Sequence, residues 1–252
     1  MSAGKIAVML AVAVLTAAAP LGIMGYLHRK KGGRWLPFLT GAAVFLLFAM
    51  GLEGIFNRLV IGGPLGPAVT GNIWLYALYG GLAAGIFEET GRLAAFRLVL
   101  RKRREPVTAL SYGLGHGGIE AFLLVGLTML ANLSLGLAYS GGALPPEAAA
   151  AAETVIDAPA VLFFWAGVER LSAVVLHVSN SVLVFAAARA GKRRLFPAAI
   201  LIHTMVNFIA VIGGSFLPVA VTELLVLACS LLAALGAVRV YRSFSEKIAE
   251  IP

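Results

Sequence analysis

The chain is 252 residues long, 60% hydrophobic and only 13% charged, with a mean hydropathy of +0.92. A soluble domain of this size carries about a quarter charged residues, so composition excludes one and leaves an all-α, polytopic transmembrane helical bundle using residues 1–252 as a single membrane domain. The net charge of +8 does not point to nucleic acid, because Lys and Arg fall in short clusters between apolar runs, the topological pattern of a multi-pass protein of the cell membrane, here a prokaryotic plasma membrane.

The first apolar run, 5–27, imitates a signal peptide, with Ile6–Leu15 as its core and Ala17-Ala18-Ala19 as its cleavage site. Only Lys5 precedes it, however, and the run continues to Leu27 before a basic flank, His28 to Arg34, so an uncleaved helix is expected. Further spans are expected at 36–56, 72–100, 107–131, 161–190, 195–213 and 217–241, about seven in all. The connections alternate in charge. Residues 28–34, Arg101–Arg104 and Lys192–Arg194 are basic, and Arg239, Arg242 and Lys247 close the chain. Residues 57–71 hold only Arg58, and 132–158 hold no Lys or Arg. The positive-inside rule then places the N-terminus outside and the C-terminus in the cytoplasm.

The connection 132–158 is long for a compact bundle, and Pro145-Pro146 is expected to start a short helix through Glu147–Ile156. Gly167 and Glu169-Arg170 suggest a break or tilt in the fifth span. Glu169 and Arg170 read as a structural pair, and Glu53 and Glu223 as interfacial. Cys229 is the only cysteine, so no internal disulfide forms, and in its apolar run it reads as a small packed residue.

The third span carries Glu88, Glu89 and Arg92 within five positions. A charge near the bilayer centre costs about 2.5–3.5 kcal/mol on insertion scales, so these residues must pair or do chemistry. Counting inward from the basic clusters, Glu88 lies 13 residues before Arg101, His116 lies 12 after Arg104, His177 lies 15 before Lys192 and His203 lies 9 after Arg194. At 1.5 Å per residue all four sit about 14–22 Å deep, in one layer. Each has a polar residue four positions on: Arg92, Glu120, Ser181 and Asn207. Residues at i and i+4 share a helix face, so four polar stripes are expected to turn toward a common interior. Gly81 and Gly85, and Gly113 and Gly117, would let these helices approach closely. Asn180 and Ser179 are candidate interhelical hydrogen-bonders.

A glutamate and a histidine sharing a buried water, with a second histidine and an asparagine facing a developing oxyanion, suffice for amide hydrolysis. The same side chains, Glu88, His116, His177 and His203, could instead hold Zn²⁺ with an open water position. Spacing alone does not choose between the two, and there is no His-Glu-x-x-His.

Glu88-Glu89-x-x-Arg92, Tyr112-x-x-x-His116 running into Gly117-Gly118-Ile119-Glu120, His177, and His203-x-x-x-Asn207 together resemble the YhfC family of intramembrane peptidases. That family is similar to the wider CPBP group, which includes the CAAX prenyl endopeptidases, and to the PrsW proteases. The resemblance spans roughly residues 70–210. Relative to the wider group the arginine comes one residue early, and Tyr112 replaces a phenylalanine. The resemblance implies Glu88 as general base with His116 sharing the water, His203 and Asn207 on the oxyanion side, and Glu89 and Arg92 as supporting charges beside Glu120 and His177. The early arginine leaves Glu88 and Glu89 competing for the role of base. The implied partner is a membrane-embedded or membrane-proximal polypeptide. A proton-coupled transporter, or a non-catalytic scaffold of the same fold, would use the same layer of residues differently.

Overall fold

The computed structural model describes residues 1–249, apart from the side chains of Pro146 and of residues 246–249, so the Lys247 cation lies outside the description. Helix is the only regular structure among the described residues. The elements are α1 (Ala3–Lys30), α2 (Trp35–Ile61), a one-turn α3 (Gly66–Thr70), α4 (Ile73–Ala94), α5 (Val107–Ser140), α6 (Pro146–Asp157), α7 (Ala160–Arg189), α8 (Leu195–Phe216) and α9 (Val219–Ala249). Six of them, α1, α2, α5, α7, α8 and α9, are long and apolar enough to cross a membrane. The chain is a multi-pass membrane protein. Helix α4 has the length, at 22 residues, but carries Glu88, Glu89 and Arg92.

Local chemistry sets the starts of α1 and α4. Ser2 Oγ accepts from the Lys5 amide at 3.3 Å. Asn72 Oδ1 accepts from the amides of Trp74 and Leu75 at 3.0 and 3.2 Å, satisfying two donors that an uncapped helix would leave open.

Helix α7 is the central post. Of its most apolar 18-residue window 72% is buried, against 17–28% for the other five apolar helices, and it touches α1, α4, α5, α8 and α9. No break occurs at Gly167: α7 is continuous, and Gly167 is where α1 leans in, since a Cβ there would stand 2.8 Å from Val12 Cγ2. Two other glycines fix the distances that matter for the polar layer. A Cβ on Gly113 would lie 2.5 Å from the Cα of Val178, and one on Gly81 would lie 2.6 Å from the Thr204 carbonyl oxygen. These contacts seat α5 on α7 and α4 on α8 at backbone range.

Below the polar layer, Phe96, Tyr112, Val184 and Phe185 form the principal apolar core. Arg189 ties the base of α7 to the preceding hairpin. Its guanidinium donates to the carbonyls of Phe96, Leu100 (2.9 Å) and Arg103 (3.0 Å), in the turn that follows α4.

The expected long connection after 131 is largely helical. Helix α5 runs on to Ser140, so the span ends nine residues later than composition suggests, and the short helix beginning at Pro146 is present. Lys5 Nζ donates to the carbonyls of Val155 (3.3 Å) and Ile156, so a cation from α1 caps the C-terminal end of α6.

Three helices contain wider π turns that periodicity did not announce: Phe45–Glu53 in α2, Ala95–Val99 after α4, and Phe122–Gly126 in α5. A π turn inserts residues into the helical count and re-aims side chains on either side of it. The last two begin just after Arg92 and Glu120 respectively, and Phe45, at the start of the first, meets the His116 ring edge-on at 5.4 Å.

Candidate active site

Helices α4, α5, α7 and α8 each send ionisable side chains into one buried cluster. Glu88, Glu89, Arg92, His116, Glu120, His177 and His203 are all buried. His116 Nε2 lies 2.8 Å from Glu88 Oε2, and with no acceptor near its buried Nδ1, the ring carries its proton on Nε2 and donates it to Glu88. Across the cavity His203 Nε2 is 3.8 Å from Glu88 Oε1. Glu88 Oε1 makes no hydrogen bond among the described residues.

The neighbouring carboxylate is placed quite differently. Glu89 is fully buried and takes a salt bridge from Arg92, a bond from His203 Nδ1 at 2.9 Å and one from Asn180 Nδ2 at 3.1 Å. Its bonding capacity is used on three helices. It therefore orients His203 with Nδ1–H donated and Nε2 toward the cavity, the manner in which a carboxylate fixes a functional imidazole. Asn180 also donates to the Ala199 carbonyl at 3.3 Å, so α7 and α8 are joined through it.

His177 sits between two systems. Arg92 Nη2 donates to its Nδ1 at 3.0 Å, which leaves the ring proton on Nε2, 2.5 Å from Glu120 Oε2. Glu120 does not bond His116, its neighbour one turn away. It accepts instead from Arg170 Nη1 at 2.7 Å, and Arg170 also pairs with Glu169. The expected Glu169–Arg170 pair is thus present, and it extends inward to Glu120. Ser181 shares the face of His177 but bonds back to the His177 carbonyl at 2.6 Å, and Ser179 bonds within its own helix as well, so neither joins the cluster.

A cavity of about 60 Å³ opens onto Glu88, Glu120, His177, His203 and Asn207. It has room for bound water. Asn207 is half-buried and makes no hydrogen bond among the described residues, so its amide is free at the cavity wall. Glu89, Arg92 and His116 stand behind that wall.

Glu88, His116, Glu120 and His177 each offer one ligand atom, and the four lie within 4.8 Å of one another. Two observations suit a divalent cation there. Arg92 is engaged by Glu89, and Arg170 by Glu120 and Glu169, so Glu88 has only imidazoles for partners. Glu120 Oε2 is buried with His177 Nε2 2.5 Å away and no second donor in reach. A carboxylate oxygen has two lone pairs, so one stays open to a further partner. Both imidazoles turn a protonated Nε2 inward, His177 because Arg92 occupies its Nδ1 and His116 because it donates to Glu88, so either would ligate a cation only with the proton moved off that nitrogen. With Glu88 and Glu120 they are donors of the type that bind zinc with an open position.

The family model described as YhfC intramembrane metalloprotease matches residues 13–226. The chain belongs to this family. Among YhfC relatives, the uncharacterized membrane protein YhfC of Bacillus subtilis (strain 168) is 30% identical over 209 residues, covering 77% of this chain and 79% of the relative. No solved structure matches the chain. The YhfC match takes in every residue of the cluster, from Glu88 to Asn207, and the family's description agrees with a donor set able to hold a metal.

Proposed function

We propose that the protein is an intramembrane endopeptidase that hydrolyses a peptide bond of a membrane-embedded or membrane-proximal polypeptide in the α4–α5–α7–α8 cavity. The observation that carries this reading is the division of labour between adjacent carboxylates. Glu89 is tied down by Arg92, His203 and Asn180, whereas Glu88 faces the cavity with one oxygen unbonded.

Glu88 Oε1 is the proton acceptor. It takes a proton from a cavity water as the water oxygen bonds to the carbonyl carbon of the substrate. His116, donating to Oε2, holds the carboxylate in place. The carbonyl oxygen gains the negative charge and is met by the Asn207 amide beside His203. When the carbon–nitrogen bond breaks, Glu88 returns the proton to the departing amine, so protons balance over the cycle. Zn²⁺ held by Glu88, Glu120 and the other tautomer of His116, in place of the hydrogen bond to Oε2, would acidify the attacking water and polarise the carbonyl. Arg92, Glu89 and Arg170 act at one remove, by fixing the rings and carboxylates that face the cavity.

The test compares new protein N-termini in membranes of cells carrying the wild-type chain or Glu88→Gln. A set of N-termini at membrane-proximal sites should appear only with the wild type. Identical sets from both, with the variant present at equal abundance, would reject the proteolytic reading. Proton or solute flux in liposomes of the purified chain would support transport instead.

A further inference from the structure

The α1–α2 hairpin lines two neighbouring cavities, which Leu21 and Gly22 flank at adjacent positions. One, of about 640 Å³, is walled by Tyr26, His28, Arg29, Lys30 and Trp35 over a floor of Gly22 and Gly25. The other, of about 330 Å³, continues along the same two helices between Pro20 and Leu21 on one side and Phe38 and Leu39 on the other, and its floor is α5 at Gly115 and Gly118. Trp35 lines the first and Phe38 the second, and their rings are in edge contact at 5.5 Å. Leu21, Tyr26, Trp35 and Leu39 are exposed, so this side of the hairpin faces the bilayer.

The first cavity is cationic and the second is wholly apolar in lining. No acidic residue occurs in the chain before Glu53, and Arg29 and Lys30 form no ion pair among the described residues. His28 donates from Nδ1 to the Gly33 carbonyl at 2.9 Å, which fixes its ring at the cavity edge. From Ala17, at the deep end, to Lys30 is 13 residues, about 20 Å along the helix axis. That covers the headgroup level and one leaflet of a hydrocarbon layer about 30 Å thick.

We propose that this composite cavity binds one anionic phospholipid, with its phosphate on Arg29 and Lys30, its glycerol region against Tyr26 and Trp35, and an acyl chain in the apolar groove. Basic pockets between membrane helices recognise anionic headgroups in this way, and aromatic rings mark the headgroup level. Charge complementarity selects the head, and the groove's continuity selects a lipid over a free anion. The chain would rest on the backbone of α5 on either side of His116, so the ligand sits behind the candidate active site without entering it.

The test is native mass spectrometry of the full chain in detergent, offered phosphatidylglycerol and phosphatidylcholine of the same acyl length. Wild-type protein should retain phosphatidylglycerol over phosphatidylcholine by roughly tenfold or more, since each basic side chain contributes about 1 kcal/mol toward an anionic lipid. Arg29→Gln with Lys30→Gln should abolish the preference. Ala42 also lines the apolar groove, and Ala42→Trp, which fills it and leaves the charges, should abolish retention of either lipid. Equal retention of both lipids by wild type, an unchanged preference in the double variant, or full displacement by inorganic phosphate would each overturn the proposal. Unaltered retention by Ala42→Trp would do the same. A thermal unfolding midpoint matching the wild type in lipid-free detergent shows that each variant is folded.

Discussion

At the scale of single residues, Glu88 and Glu89 differ by one position and by almost everything else. Glu89→Gln removes the charge that Arg92 and His203 are built around, and breaking a buried pair on one side costs about 3–5 kcal/mol. The expected result is a clear fall in the thermal midpoint of the detergent-solubilised protein. Glu88→Gln leaves no guanidinium unpaired and keeps an acceptor for His116, so its midpoint should stay near wild type while any cleavage is lost. Equal destabilisation by both variants would contradict the asymmetry. Metal content tests the same residues by another route. Gently purified protein should carry about one divalent ion per chain by elemental mass spectrometry. His116→Ala should lose it and Asn207→Ala should keep it. The sequence already pointed to Glu88, His116, His203 and Asn207, because ionisable groups at one depth are so costly in lipid that they must converge. It named Asn180 as an interhelical hydrogen-bonder without its partner Glu89, and it was silent on Arg170 bonding Glu120. Those partners are 91 and 50 residues apart, and neither spacing nor hydropathy links them. It also assigned Ser181 to the polar stripe, where the short hydroxyl found its own helix carbonyl first.

Among the elements, the cavity of about 60 Å³ is too small for a polypeptide, so the proposed cleavage requires helices to part. The apolar seal is Leu176, Val206 and Val226, which form a small core cluster of their own and also line the cavity. On the far side of Val206 an apolar groove of about 390 Å³ runs between α8 and α9 toward the lipid. Val206 lines both spaces, so it is the thinnest wall. Val206→Trp should slow cleavage of any substrate found by the N-terminal comparison, and Val206→Ala should not; equal rates in all three proteins would remove α8–α9 as the access route. By contrast the α5–α7 contact should not tolerate growth. A Cβ at Gly113 falls on the backbone of Val178, not on a side chain that can swing away. Gly113→Leu should therefore destabilise by about 1–3 kcal/mol or more, read as a lowered thermal midpoint. The seven long helices and most of their ends, that of α5 excepted, were legible from hydropathy, and glycine spacing announced the close approaches. The π turns were not, since a 3.6-residue pattern smears over an inserted residue without disappearing.

For the molecule as a whole, the open matter is how α4 lies in the bilayer. Composition admits six helices and sets α4 aside for its three charges. Its packing argues that it crosses as a seventh. At 22 residues it is about 33 Å long, enough for a hydrocarbon layer of about 30 Å. Glu88, Glu89 and Arg92 are buried against the neighbouring helices, while the exposed side chains of α4 include Trp74, Leu75, Leu78, Leu82 and Ile86, all apolar or aromatic. Such a helix shows lipid only its apolar side, so its charges bear little of the insertion cost that their number suggests. Seven crossings would put the termini on opposite sides, and the positive-inside rule would then place the basic turns at 28–34, 101–104 and 192–194 in the cytoplasm. In a Cys229→Ala background, single cysteines at Lys102 and Lys192 should be closed to a membrane-impermeant maleimide in intact cells and open after lysis. A cysteine at Ala143, between α5 and α6, should be labelled in intact cells. Labelling of 102 and 143 from the same side would mean that α5 does not separate them. Labelling of 102 from the same side as a cysteine at Pro64, in the turn before α4, would mean that α4 does not cross, and the candidate active site would then lie on a helix that enters the bundle and returns.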